Sequence, residues 1–354
     1  MSWATSWSRR VVDAEPADQL GNYGLKLKSK QEVPSLTHPV LALNVPAKGQ
    51  VMAIAFAPDG HSFATATDGN TITLRSAQTG RQLRAFIEAS STARSPTIFP
   101  DGQRVYSLNF SPDGATLASA GNLIKNDRLV GGEVRLWDAR SGQLLRTITV
   151  NKEPGTFTYS VVFTPDGKAL VTGMTKYGRT ARAANKRGEI SIWDVKTGVL
   201  QQRWKTLTIG VDSVAFSPDG HTLATGCGDA TVKLWDWKSG NLRRTLQGTF
   251  YRVFSLCFAP DGKWLASCIG PDLPGIAGNL EQLKTVHLWN LHTGQTELMA
   301  IKHSGLVTAI AFSPDGEHLM TGDDGGAFSG KGVSATLKLW RFKSSISSAP
   351  APAD

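Results

Sequence analysis

Cysteine is scarce in this chain. Only Cys227, Cys257 and Cys268 occur among 354 residues. The low, odd count argues against a disulfide framework, and none of the three stands in a Cys-x-x-Cys pair. All lie in or beside apolar runs, where free thiols are ordinarily buried. That usage suits a reducing compartment, so a cytoplasmic location is expected. No run approaches the roughly 20 apolar residues of a membrane span. The opening MSWATSWSRR lacks the apolar segment of a secretory leader, which disfavours export.

Catalytic signatures are equally thin. The histidines at 38, 61, 221, 287, 292, 303 and 318 form no His-Glu-x-x-His pair. No Gly-x-Ser-x-Gly elbow appears. The stretch Gly325–Gly332, GGAFSGKG, nearly spells a phosphate-binding loop. It fails because Gly332 replaces the hydroxyl residue that would hold magnesium, and because no helix is expected to follow. No metal, cofactor or enzymatic activity is expected.

What the chain does have is a recurring unit, clearest over Val211–Leu246. Val214–Phe216 is a short apolar run, and Ser217-Pro218-Asp219-Gly220 turns it back, proline presetting φ and glycine accepting positive φ. Leu223–Gly226, Thr231–Trp235 and Leu242–Leu246 complete four short strands, an antiparallel meander. One such sheet cannot bury both faces and needs copies of itself on either side. The turn recurs at Asp59, Asp113, Asp166, Asp219, Asp261 and Asp315. A phenylalanine precedes each turn proline by two positions: Phe56, Phe110, Phe163, Phe216, Phe258 and Phe312. Third strands end at Trp137, Trp193, Trp235, Trp289 and Trp340, while the first copy has Leu74-Arg75 there.

The endings Leu136-Trp137-Asp138, Ile192-Trp193-Asp194 and Leu234-Trp235-Asp236, with the Phe-x-Pro-Asp-Gly turn, resemble the WD-repeat (WD40) β-propeller family. Gly131-Gly132-Glu133-Val134 and Arg187-Gly188-Glu189-Ile190 look like bacterial members. The resemblance runs from about Val40 to Trp340. It implies an all-β, closed β-propeller of four-stranded antiparallel blades around a central channel, and a scaffold role. The tryptophans are then packing residues between blades. His303 matches the family's structural histidine, with Thr321, Asp324 and Trp340 as its expected partners.

Six turns imply six blades. A seventh would have to come from residues 1–50, where Leu25–Lys28 faintly echoes a third strand without a hairpin. Phe99-Pro100-Asp101-Gly102 is too close to the next turn to found a blade. Val40–Leu43 has no earlier repeat, and the last repeat lacks an outer strand after Trp340. The two are expected to pair, so that the N-terminal strand closes the ring; loop entropy grows only logarithmically with the separation. Residues 1–37 read as a tail or strap, 38–343 as the propeller, and 344–354 as a Ser/Ala/Pro-rich tail.

The steps between turn aspartates are 54, 53, 53, 42 and 54 residues. The shortest is a bare repeat. The surplus in the others falls at Asn122–Gly132, Thr175–Gly188, Gly270–Lys284, Asp323–Ala335 and about Glu88–Gly102. All would emerge on one face, the top, and long ordered loops tend to carry function. Residues 175–188 hold Lys176, Arg179, Arg182, Lys186 and Arg187 and no acidic residue, within a total formal charge of +9. Lys125 and Arg128 lie on the neighbouring insertion and Lys331 on the last. With Tyr177, these residues are the expected partner-binding set. Such a patch attracts an acidic partner. Protein or peptide is preferred over nucleic acid because no aromatic set for base stacking interleaves the charges beyond Tyr177. Asp68, Asp127, Asp229, Asp323 and Asp324 on the same face read as turn aspartates more readily than as catalytic carboxylates.

Overall fold

Each Pro-Asp-Gly turn reverses the chain by the same bonds. The aspartate accepts the backbone N–H two residues on, from His61, Ala115, Lys168, His221, Lys263 and Glu317. In four turns Ser111, Thr164, Ser217 or Ser313 also donates its hydroxyl. The turn glycines sit at φ between 67° and 72°, which costs an L side chain strain. So the hairpin is written locally, before any packing.

The computed structural model describes residues 40–68, 71–87, 102–125, 128–153, 155–176, 187–206, 208–249, 251–270, 282–299, 301, 303–326 and 334–341. The N-terminal strand is β1 (Val40–Pro46). Blade one comprises β2 (Val51–Phe56), β3 (Ser62–Thr67), β4 (Ile72–Ser76) and β5 (Gln82–Ile87). Blade two is β6 (Gly102–Phe110), β7 (Thr116–Lys125), β8 (Arg128–Asp138) and β9 (Leu144–Asn151). Blade three is β10 (Thr156–Phe163), β11 (Ala169–Lys176), β12 (Arg187–Asp194) and β13 (Leu200–Lys205). Blade four is β14 (Val211–Phe216), β15 (Thr222–Cys227), β16 (Thr231–Asp236) and β17 (Leu242–Gln247). Blade five is β18 (Arg252–Phe258), β19 (Trp264–Gly270), β20 (Val286–Asn290) and β21 (Thr296–Met299). Blade six is β22 (Val307–Phe312), β23 (His318–Asp323), β24 (Thr336–Arg341) and, outermost, β1.

The fold is thus a six-bladed propeller, as expected. β1 pairs antiparallel with β24 from Val40 opposite Arg341 to Pro46 opposite Thr336, so the expected strand completes blade six. This pairing lies within one sheet; among the described residues the six sheets are separate, and ladder hydrogen bonds do not join one blade to the next. The turns make the ring visible instead. Gly114 faces Pro58, Gly167 faces Pro112, Gly220 faces Pro165, Gly262 faces Pro218 and Gly316 faces Pro260, while Gly60 faces Pro314 from blade six. A methyl added at these glycines would meet proline carbons at 2.9–3.9 Å.

Cores lie between blades. Trp137 is buried against Ala53 and Ala55 of blade one, Trp193 against blade two, Trp289 against blade four and Trp340 against blade five, with Trp235 half-buried against blade three. Each indole N–H donates to a hydroxyl nine residues past the repeat's phenylalanine: Ser119, Thr172, Thr225, Ser267 and Thr321, at 2.7–3.0 Å. The inner strands have one unpaired edge. Serines of the preceding blade cover part of it: Ser107 accepts from Val161 N–H, Ser160 from Val214, Ser213 from Leu256 and Ser255 from Ile310. At the rim, Arg84, Arg146 and Arg244 donate to carbonyls of Ser141, Thr197 and Leu291 in the next blade.

The insertion at Asn122–Gly132 departs from the expected loop. It is an extension of the hairpin, with Asn122 opposite Gly132 and Lys125 opposite Arg128. Its Leu123, Ile124 and Leu129 are strand-forming residues, and they continue the ladder. Thr175 and Lys176 likewise pair with Gly188 and Arg187. Gly102 opens β6, so the second Pro-Asp-Gly at 100–102 founds no blade. The expected tails at 1–37 and 344–354 lie outside the described residues.

Candidate functional site

Every inner strand carries a register shift at the same place, four residues before its phenylalanine. The shifts flank Met52, Tyr106, Tyr159, Asp212, Phe254 and Thr308. A bulge leaves its extra residue out of the ladder and re-aims the side chain. Here the first five line the central channel, a cavity of about 490 Å³. Thr308 instead donates to the carbonyls of Val51 and Gly322. The bulges lie toward the ends where the inner strands begin. Register puts the insertions at that end too: Arg104 is opposite Asn122, Phe157 opposite Thr175 and Arg252 opposite Gly270. The channel mouth and the elaborated loops therefore share one face.

The ring of bulges is not uniform. Blades six and one contribute Thr308 and Met52. Blades two to five contribute Tyr106, Tyr159, Asp212 and Phe254, and neighbours join them. Tyr106 meets Tyr159 edge to face with centroids 5.2 Å apart, and Phe157 stacks on Tyr159 at 5.6 Å. The Arg104 guanidinium lies 5.5 Å from the Tyr106 centroid. That of Arg252 lies 5.4 Å from Tyr159 and 5.2 Å from Phe254. Arg252 is also forked onto Asp212, Nε to Oδ2 at 3.1 Å and Nη2 to Oδ1 at 2.6 Å, and Thr175 donates to the same carboxylate at 3.2 Å. Asp212 is 4% and Arg252 9% exposed. Blades three, four and five thus meet in one buried, charge-paired cluster with aromatic walls. Stacking on aromatic faces and bidentate carboxylate pairing are the two things a planar guanidinium does and a lysine does not.

The sequence-predicted partner residues fall around this mouth unevenly. Arg128, Lys176 and Arg187 are exposed at hairpin ends. Lys176 forms an ion pair with Glu153, which holds that carboxyl below the usual range, so part of the loop's charge is met locally. Lys125 ends β7, and its side chain lies outside the described set. Tyr177, Arg179, Arg182, Lys186 and Lys331 also lie outside the described residues. None of the aromatic–arginine cluster belongs to the residues that the sequence singles out for partner binding. The signal was available: reading the fourth residue before each phenylalanine in phase returns Met, Tyr, Tyr, Asp, Phe and Thr.

His303 is buried in a hydrogen-bonded network of blade six, with one partner other than expected. Its Nε2 meets Thr321 Oγ1 at 2.6 Å and its Nδ1 meets Asp323 at 2.8 Å, while Trp340 donates to Thr321. The carboxylate is Asp323, not Asp324, because Thr336 across the insertion also binds Asp323. Asp324 accepts from Leu306 and Gly326 N–H instead. Burial pushes the His303 imidazole down against the opposing pull of Asp323. Blade two achieves the same with Gln103, whose amide joins Ser119 and the Glu133 carbonyl. Asp229 binds Thr231 and Lys233 of its own turn.

Among the described residues, one group could offer three ligand atoms to a metal: Asp315, Glu317 and His318. Asp315 is already engaged by Ser313 and the Glu317 N–H, so this is turn chemistry. Cys227, Cys257 and Cys268 are free thiols. Burial raises all three, Cys227 and Cys257 to about 12, which leaves them protonated and unreactive. No helix of the described residues is long and apolar enough to cross a membrane.

The repeated blade has a counterpart in known families. The family model described as WD domain, G-beta repeat, matches residues 38–74, 95–138, 202–236, 240–272 and 296–341. The chain belongs to the WD40 repeat family. Blade three lies largely between the matched segments, yet it repeats the same bulge, serine and indole bond. An uncharacterized WD repeat-containing protein of Synechocystis sp. is 32% identical over 120 residues, covering 34% of this chain and 28% of that protein. The chain therefore aligns with well under a third of that relative's length. WD40 propellers are commonly protein-interaction scaffolds and are generally non-enzymatic.

Proposed function

We propose that this WD40 protein is a non-enzymatic scaffold that holds a protein or peptide on its loop-bearing face, as a subunit or adaptor of a larger assembly. One observation carries the reading: five of the six in-phase bulges deliver side chains to one channel, and blades two, three and five gather tyrosine, phenylalanine and arginine around the bulges there. Tyrosine and arginine in a desolvated setting are what binding hot spots are made of. Lys176, Arg187 and Arg128 stand at the hairpin ends on the same face and, with the basic composition of residues 175–188, favour a partner with an acidic surface. Nucleic acid is the second reading, since aromatic rings beside arginines can stack bases. The rings here are largely engaged already, Phe157 on Tyr159 and guanidinium groups over Tyr106, Tyr159 and Phe254, which favours peptide.

The test is selection of a random peptide display library on the full chain. Enriched peptides should bind in a manner weakened by Tyr106→Ala and Phe254→Ala. Substitutions on the opposite face, such as Lys168→Ala, should leave binding unchanged. If no sequence is enriched, or if only opposite-face substitutions matter, the reading is wrong. Preferential binding of single-stranded oligonucleotides with a steep salt dependence would install the second reading.

A further inference from the structure

The repeats provide an internal control for the Asp212–Arg252 pair. Where blade four has Asp212, blades six and one have Thr308 and Met52. Where blade five has Arg252, six residues before its phenylalanine, blades six and one have Leu306 and Gln50. The blade pattern is the same in all six repeats, so the fold does not require an ion pair at this level. Nor is a buried pair a strong source of stability, because desolvating both ions costs nearly what their attraction returns. Yet the chain holds a guanidinium between two aromatic faces, forked onto a carboxylate, at the rim of its channel. The other described charges on this face are of both signs: Arg104, Arg128, Lys152, Arg187 and Lys284 on one hand, and Asp68, Asp229, Asp323, Asp324 and Glu153, which pairs with Lys176, on the other.

We infer that Arg252 is the anchor for a carboxylate of an acidic peptide, and that Asp212 is the internal carboxylate the ligand replaces. This rests on the peptide-scaffold reading and deepens it. Tyr159 and Phe254 hold the guanidinium plane in place before binding, which removes an ordering cost. The exchange keeps the fork geometry and moves the paired charge from the chain to the ligand. Thr175 remains to receive Asp212 when it turns away. The chain's formal charge of +9 favours encounter with an acidic ligand. The carboxylate can come from a glutamate side chain or from a peptide C-terminus; the recognition chemistry is shared.

The proposal makes two adjacent substitutions act in opposite directions. Three short peptides serve as probes on the full chain: one with glutamates flanking phenylalanine and an amidated end, one without acidic residues but with a free C-terminal carboxylate, and the glutamine version of the first, amidated. The native chain should bind a carboxylate-bearing peptide and not the glutamine peptide. Asp212→Asn should tighten carboxylate binding about tenfold by removing the competitor, and Arg252→Gln should weaken it by at least about tenfold. Arg252→Lys, which keeps the charge but not the fork, should weaken it nearly as much. The first two peptides distinguish side chain from terminus. Should Asp212→Asn fold poorly, the same ordering is read from the rise in Tm that each peptide gives each variant. Binding weakened equally by Asp212→Asn and Arg252→Gln would mark the pair as a structural latch and overturn the inference. So would binding indifferent to both, with the scaffold reading left standing on other residues. If no peptide from the library or this set binds, both readings fall. An oligothymidylate that binds through Arg252 more tightly than either acidic peptide would overturn this inference in favour of phosphate.

Discussion

Five of the six interfaces between blades hold an indole, and the sixth, where blade six meets blade one, holds Arg75. The hydroxyl that the missing indole would bind is present: Thr65 stands nine residues past Phe56, is 2% exposed, and donates to the Thr73 carbonyl at 3.5 Å, as Thr172 and Thr321 donate to the matching carbonyls of their blades. Arg75 reaches the Gly80 carbonyl at 3.1 Å, but its Nε is buried with no partner among the described residues, and burial lowers its pKa. The serine bridge is absent here too, since Ala309 stands where Ser107, Ser160, Ser213 and Ser255 stand elsewhere. In place of an arginine latch, β1 lays Val45 and Leu43 against Gly80. The seam has its own compensation. Phe63 is fully buried where the other blades have leucine, and it packs 5.8 Å from Phe56. Volume lost at one position is restored at a neighbour, which cores tolerate well. The lesson is that an indole bond recurs at five joints, a serine bridge at four of them and an arginine contact at three, while apolar filling serves at the sixth.

Truncation should separate the two kinds of joint most sharply. Trp289 is fully buried and bonded to Ser267, so Trp289→Ala should cost about 3–5 kcal/mol in denaturant unfolding. Arg75→Ala removes a partly unsatisfied cation and should cost under about 1 kcal/mol. Comparable losses at both sites would end the distinction.

Acid sharpens the comparison from the other side. His287 in blade five is buried, with neither ring nitrogen partnered among the described residues, and burial pushes its pKa down to about 4. A histidine kept neutral in the fold binds its proton first in the unfolded chain. Stability is therefore retained above the unfolded value near 6.5 and falls as pH drops from there toward 4, by about 2 kcal/mol between pH 7 and pH 5 from this group. His303 shifts in the same direction. Unfolding curves of His287→Leu at the two pH values should show most of that difference removed; an unchanged slope would assign the acid loss elsewhere.

The ring was legible in the sequence because its determinants are local and in phase. Turn residues set each hairpin, one phenylalanine and a hydroxyl nine residues on mark each blade, and a tryptophan near the end of the third strand marks all but the first. β1 was legible because a strand without a repeat and a repeat without a strand imply each other. The mouth was not, for a physical reason: a bulge turns a side chain out of the alternation that sequence patterns report. Tyr106 and Asp212 therefore read as ordinary strand residues until the register is seen. The sequence does not distinguish Asp324 from Asp323, because an insertion separates the turn from its tryptophan; in the fold Thr336, across the gap, binds Asp323, the carboxylate that meets His303. At Asn122–Gly132 the surplus length alone suggests a loop, yet apolar residues on both arms let it extend the ladder.

The smallest predicted effect is also the most specific. If the seam lacks only an indole, then Arg75→Trp should supply it: the ring would enter the space between blades six and one, its N–H would take Thr65 Oγ1, and the stranded Nε would be gone. One buried hydrogen bond and the removal of one unsatisfied donor together contribute about 1–2 kcal/mol, less the strain of fitting an indole beside Phe63. Pairing Arg75→Trp with Phe63→Leu recreates the arrangement of the other five joints. The double variant should exceed the sum of its single changes by about 1 kcal/mol, as expected of residues that share one space. Additive effects would mean that Phe63 and Arg75 do not compensate each other, and that blade one differs from its neighbours for a reason other than packing.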